Sequence, residues 1–303
     1  MITDHNVVTS QDYFSSVQTN WSSFLFVPGM EWTSYYGHAN LIGITEWVDA
    51  KIGYTTTIEE AVAATHAQGA VFSLNHVDMY KGTLTHIPNL CIGCTWDFLY
   101  QEVDAMEIGI EGLLGIGGIY DPRAIDWWDH LCSLGLNVTA IGGSDDHHGG
   151  DDPESYNQIG HPTTMVWAEN LSVPALLEGV HLGRTVVKLR GPTDPMIDFS
   201  ITPSANGSLS ISVEVTLDPR SLSKEIFYLK VVRNNVSQIR MVIDRDPFEW
   251  SSLIDPPPDG RDRWRCMLFA LPIMGKLIPN QIEGGIPVTV TSHKFVYPDG
   301  TVF

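Results

Sequence analysis

Over the first 190 residues the apolar positions come in short solid runs separated by amphipathic stretches; beyond about residue 195 they alternate with polar ones. The first pattern predicts strands interleaved with helices, and the second predicts an all-β region. Strands are expected at 24–32, 38–44, 70–76, 103–110 and 136–141. Thr57 and Glu60 have the spacing of a capping box ahead of an apolar-periodic stretch that Gly69 closes, so a helix is expected over 57–69. Pro122 opens a second, in which Ile125, Trp128 and Leu131 recur every three residues before Gly135. A third is expected near 173–182, ahead of Gly183. After the segment Gly191-Pro192-Thr193-Asp194-Pro195, β runs follow at 197–201, 209–215, 226–232, 239–243, 266–271 and 287–296. The expected organisation is an α/β domain over 1–190 and a small β-sandwich-like domain over 196–303.

Charge narrows the partners. With 36 acids against 17 Lys and Arg, the net charge is −19. That field repels polyanions, so neither long nucleic acid nor an anionic membrane surface is an expected partner. A small anionic substrate stays open, because bound divalent ions invert the local sign. No apolar run approaches the ~20 residues of a membrane span, so a soluble chain is expected. Five Asn-x-Ser/Thr sequons, at Asn20, Asn137, Asn170, Asn206 and Asn235, hint at a secreted or extracytoplasmic location. Cys91 and Cys94 have the spacing of half a zinc knuckle, but no second Cys-x-x-Cys accompanies them.

The candidate chemistry gathers where apolar strands stop. His5 follows one short run and Glu31 ends another; His76 closes 70–75, and Asp145 and His147 follow 136–141. His38 precedes its run. Imidazole and carboxylate are the donors that zinc, manganese or iron take, and a bridging carboxylate can hold two ions. Each residue also has an ordinary reading: Glu31 could pair with an arginine, Asp145 could cap a helix, and a single histidine could be a loop residue. Recurrence at several strand ends, where an unpaired charge is costly, favours a shared metal site.

Ile2-Thr3-Asp4-His5-Asn6, Gly29-Met30-Glu31-Trp32-Thr33, Gly37-His38-Ala39-Asn40, Asn75-His76, Met106-Glu107-Ile108 and Gly143-Ser144-Asp145-Asp146-His147 occur in that order across residues 1–190. Together they resemble the motifs of the PHP (polymerase and histidinol phosphatase) family, in its CehA/McbA-like metallohydrolase branch. The resemblance implies a distorted (β/α)7 barrel with two or three divalent ions (Mn, Zn or Fe) at the strand ends. It implies that Glu31 bridges two ions, Asp145 binds the first, His38 and His76 complete the second, and His5 and His147 hold the third. Glu107 would sit behind the ligands rather than among them. The family opens on a strand ending in His-x-His followed by an aspartate. Nothing here precedes Met1, so the resemblance implies an N-terminally truncated barrel lacking its first strand.

The activity so implied is hydrolysis of a small-molecule substrate by metal-activated water. A phosphoester is the first expectation, with a carbamate or amide also open. Arg184 and Lys188 are candidate substrate-binding cations, with a structural role as the ordinary reading. The competing expectation is a non-catalytic metal-binding remnant or adhesive protein whose β domain carries the function.

Overall fold

The computed structural model describes the chain except for residues 22, 35–36, 77–101, 111–116, 150–157, 205, 221–224 and 272–284. A 3-10 turn (Thr9–Tyr13) and helix α1 (Phe14–Gln18) precede strands β1 (Gly29–Ser34) and β2 (Gly37–Ile42). Then come α2 (Ile58–His66), β3 (Val71–Leu74), β4 (Ala105–Ile110), α3 (Gly117–Ser133), β5 (Thr139–Gly143), β6 (Thr163–Val166), α4 (Val173–His181) and β7 (Thr185–Lys188). Eight further strands complete the series: β8 (Met196–Pro203), β9 (Leu209–Thr216), β10 (Ile226–Arg233), β11 (Val236–Val242), β12 (Phe248–Ile254), β13 (Asp262–Leu271), β14 (Ile286–Thr291) and β15 (Lys294–Val296). Among the described residues no helix is long and apolar enough to cross a membrane.

The chain divides into two compact units that interleave in sequence. One comprises Met1–Ile108, Arg123–Thr139 and Val166–Arg184; the other comprises Gly109–Pro122, Ala140–Met165 and Thr185–Phe303.

The expected (β/α)7 barrel is not what forms. Four α-helices accompany fifteen strands among the described residues, too few to follow each strand of a barrel. The five-stranded sheet runs β1-β2-β3-β4-β5. Its β1–β2 and β2–β3 pairs are antiparallel, and β3–β4 is parallel. The reason lies in the connections. Only residues 35 and 36 separate β1 from β2, whereas a parallel crossover needs a dozen or more.

Local signals fare better than the global one. Thr57 Oγ1 accepts from the Glu60 amide at 3.2 Å, and the Glu60 carboxylate accepts from the Thr57 amide at 2.9 Å, so the capping box forms as the sequence predicts. Its helix, α2, buries Ile58, Ala61, Val62 and Thr65 and packs on β3. Ser172 caps α4, which also packs on β3. Gly43 has φ +94, and a Cβ there would lie 2.5 Å from Leu177 of α4; glycine is needed for both reasons. α3 starts five residues before the expected Pro122, which sits inside the helix.

In the second unit β8, β9 and β12 form a three-stranded sheet in the order β12-β9-β8. A larger sheet runs β11-β10-β13-β14-β7-β6, with β15 paired to β13. Ile197, Phe199, Val213 and Val215 of the small sheet share one core with Leu229, Val231, Cys266, Leu268 and Val288 of the large one. β7 pairs with β14, so the large sheet draws on residues before 190 as well as after it. Asn234 and Asn235, at φ 49 and 65, make the left-handed turn between β10 and β11 that a two-residue hairpin demands. Asn235 is exposed, as are the asparagines of the other four sequons, including Asn137, which precedes β5 rather than lying in a core strand.

Candidate metal centre

The β1–β2 register places Glu31 opposite Asn40 and Thr33 opposite His38. With side chains alternating every second residue, these four share one face of the sheet. Asn40 is in turn opposite Ser73, and the Asn75 amide donates to the His38 carbonyl at 3.2 Å, so Asn75 continues the same row. The parallel pair β3–β4 sets Ser73 beside Ala105, which brings Glu107 level with Asn75. On the outer side His5 makes a parallel bridge with Glu31: the Asn6 amide donates to the Glu31 carbonyl and the Glu31 amide to the Asp4 carbonyl. Polar residues thus cross four strands and the His5 segment in one line. Met30, Trp32, Leu41, Phe72, Leu74 and Met106 alternate with them and are buried.

Glu31 is the centre of this row. His38 Nδ1 lies 3.0 Å from its Oε1, His5 Nδ1 lies 3.2 Å from its Oε2, and His76 Nε2 lies 3.5 Å from Oε1. The His5 and His38 rings are edge-on at 5.6 Å, and those of His38 and His76 at 5.1 Å. Glu31 is 6% exposed and His76 5%, while the His5 side chain is 46% exposed, so the cluster runs from the interior to solvent. Burial alone would raise the Glu31 carboxyl, but hydrogen bonds and charge from His38 and His76 outweigh it and hold the group far below the usual carboxylate range. Among the described residues, His76 Nδ1 is buried with no hydrogen-bond partner.

The donor set fits an ion. A tetrahedral ion with bonds of about 2.0–2.2 Å holds its ligand atoms about 3.4 Å apart, and the His38 and His5 nitrogens lie 3.0 and 3.2 Å from Glu31 oxygens. One atom each from His5, Glu31 and His38 lies within 4.8 Å of the others. One member and one neighbour also carry unusual backbone: His76 has φ +32, and Asn6, beside His5, has φ +54. Left-handed conformations of this kind cost a non-glycine residue about 1–3 kcal/mol and persist only where the surroundings enforce them.

Asp145 and His147 follow β5 and are described with the second unit. His147 Nδ1 is 2.8 Å from the Asp145 carbonyl and 3.8 Å from its carboxylate, and Asp145 is left-handed at φ 53. The two candidate cations have contrasting settings. Arg184 is exposed just after α4, whereas Lys188 is buried in β7 and its Nζ donates to the Pro192 carbonyl at 3.0 Å. Burial pushes the Lys188 ammonium below the usual lysine value despite nearby Asp218 and Asp194. Cys91 and Cys94 lie outside the described residues.

Sequence reasoning gave Asn40 and Asn75 only as motif residues with no role; in the structure Asn75 donates to Glu31 and Asn40 lies behind it, bonded to Asn75 and Glu107. Their signal was a polar residue at every second position of otherwise apolar strands: Glu31 and Thr33, His38 and Asn40, Ser73 and Asn75. The first unit also holds a second carboxylate shared by histidines. Asp104, just ahead of β4, lies 2.9 Å from His66 Nε2 at the end of α2 and 3.4 Å from His181 Nδ1 at the end of α4. Comparison with family models, curated proteins and solved structures gives no match to this chain.

Proposed function

We propose that the chain is a metal-dependent hydrolase, with a phosphoester the first substrate class and a carbamate or amide the second. The single observation that carries this reading is the convergence of His5, His38 and His76 on the buried Glu31 carboxylate. A buried carboxylate is expensive without compensation, and three imidazoles with mixed nitrogen and oxygen donors suit zinc, manganese or iron. The PHP-type motifs supply the same residues and support the same chemistry. The reading does not depend on a barrel.

A bound divalent ion would supply Lewis acidity and lower the pKa of a bound water. Glu31 and His38 would hold it from the interior with His5 on the solvent side, and His76 would bear on the Glu31 carboxylate beside it. Hydrogen bonds and charge from His38 and His76 lower the Glu31 carboxyl, which favours the ionised form that a divalent ion takes as a ligand. The test is turnover of bis-p-nitrophenyl phosphate and of an aryl carbamate by the purified chain with Mn²⁺ and with Zn²⁺, alongside elemental analysis. Turnover of either substrate that Glu31→Gln abolishes supports the reading. A metal-loaded protein inactive on both overturns it.

A second reading, a non-catalytic metal-binding protein, is favoured by one observation. Among the described residues, a single group of three, His5, Glu31 and His38, brings its donors within reach of one ion. Elemental analysis separates the two: one ion without turnover fits a binding protein, and two or three with turnover fit the enzyme.

A further inference from the structure

Four hydrogen bonds and one ion pair close a ring behind the candidate centre. Asn75 Nδ2 donates to Glu31 Oε1 at 3.2 Å, and Asn75 Oδ1 accepts the Asn40 backbone N–H at 3.0 Å. Asn40 Nδ2 donates to Glu107 Oε1 at 3.3 Å, and Glu107 Oε2 accepts the His76 backbone N–H at 3.2 Å. His76 Nε2 then faces Glu31 Oε1 at 3.5 Å, which completes the circuit. All five residues are buried, between 3% and 6% exposed.

We infer that Asn75 and Glu107 are positioning residues for the metal centre: Asn75 orients the Glu31 carboxylate, and Glu107 holds His76 in the backbone conformation that turns its ring onto Glu31. This rests on the metal-site reading above.

The chemistry of each link supports the assignment. By taking one lone pair of Oε1, the Asn75 amide fixes the rotation of the Glu31 carboxylate and leaves Oε2 toward His5. Asn75 is itself held by a backbone amide, so its side-chain orientation is set and Nδ2 must face Glu31. His76 sits at φ +32, a conformation that histidine adopts rarely. The Glu107 carboxylate accepts the amide of that same residue, a charge-assisted bond of the kind that can enforce such a geometry. Asn40 ties the two halves together, since its backbone serves Asn75 and its side chain serves Glu107. Residues behind metal ligands typically change affinity by roughly 10–100-fold when replaced.

The test measures Zn²⁺ affinity calorimetrically on the folded, full chain, well below the melting temperature of the metal-free protein. Asn75→Asp keeps the shape but turns a donor into an oxygen facing Glu31. Glu107→Gln keeps the shape but gives one of the two donors an amide nitrogen to face. Each is expected to weaken Zn²⁺ binding by roughly 10–100-fold. The double variant should be no more than a fewfold weaker than the worse single one, because breaking a ring twice adds little. A purely structural role would instead lower the melting temperature and leave affinity unchanged.

Wild-type binding with both variants within twofold of it overturns this inference and leaves the metal site standing. No Zn²⁺ binding by the wild type overturns the metal site itself, and the inference with it. Should either variant fail to fold, Asn40→Ser removes only the amide that reaches Glu107. A tenfold loss of affinity there supports the ring, and an unchanged affinity overturns it.

Discussion

Two rows of polar residues cross two sheets of this protein, and they obey opposite rules. On the three-stranded sheet, Asp198 of β8 is opposite Glu214 of β9, which is opposite Glu249 of β12, and all three are exposed. On the first sheet Glu31 and Glu107 occupy equivalent alternating positions but are each 6% exposed. The outer row needs no partners, because water screens three like charges at modest cost. The inner row is paired at every step with imidazole, amide or backbone N–H, since burial makes an unpaired charge expensive. The same period-two alternation therefore gives a solvated face in one place and a candidate centre in the other. What separates them is the partners that burial requires.

The comparison can be broken or sharpened by substitution. The largest effect is expected on the inner face of the sandwich: Val213→Asp puts an unpaired carboxylate where Val213 is 1% exposed, and should cost more than about 4 kcal/mol in denaturant unfolding. A stable Val213→Asp protein would mean the two sheets do not share a dry core. Next comes Glu31→Gln, which should weaken Zn²⁺ binding by about 100-fold, or about 2.7 kcal/mol, in a calorimetric titration. Equal affinity would remove Glu31 from the centre.

The Asp104 cluster should show a smaller, pH-dependent effect. Its histidine bonds, with the Phe72 amide, outweigh burial and lower the Asp104 carboxyl from its ordinary 3.8, so that contribution is present above pH 3.8 and lost as pH falls through the lowered value. The bond to Asp104, against burial, raises His181 above its ordinary 6.5, so its contribution is full below pH 6.5 and lost as pH rises through the raised value. The pair is thus worth most between about pH 4 and 6.5. His181→Gln should cost under about 1 kcal/mol near pH 5, because the side chain is 37% exposed, and close to nothing at pH 9. Thermal melts of both proteins at the two pH values check this, and a pH-independent difference would refute it. Smallest is Glu214→Lys, which replaces the middle charge of the outer row. It should raise stability by a few tenths of a kcal/mol, an effect that fades in high salt.

How much of this was readable in advance follows from range. The α2 capping box spans four residues, and its geometry matches its sequence. The β8 and β9 alternation was equally plain, because one face meets a core and the other meets water. β12 escaped notice, since only Phe248 of its seven residues is buried. The barrel expectation failed because strands were read one at a time: the few residues between the first two leave no room for a parallel crossover, a constraint on the pair rather than on either strand. The histidines and Glu31 were legible as residue types, but their placement was not: Glu31 is third of six residues in β1 rather than at a strand end, and His38 lies within β2 rather than ahead of it. The role of Asn40 and Asn75 was not legible, because only the register of β1, β2 and β3 shows that they face the same way as Glu31.

The β1–β2 hairpin also implies an order of events during folding. Glu31 and His38 are seven residues apart, so their contact forms as soon as the hairpin does, on a scale of about 1–10 μs. Asn75 must arrive from 44 residues away, and Glu107 joins Asn40 across 67. Loop closure over such distances is slower, and it waits on α2 and β3. Half of the candidate centre is therefore written into a fourteen-residue segment, Gly29 to Ile42, that meets its own ligand partner before the rest of the sheet exists.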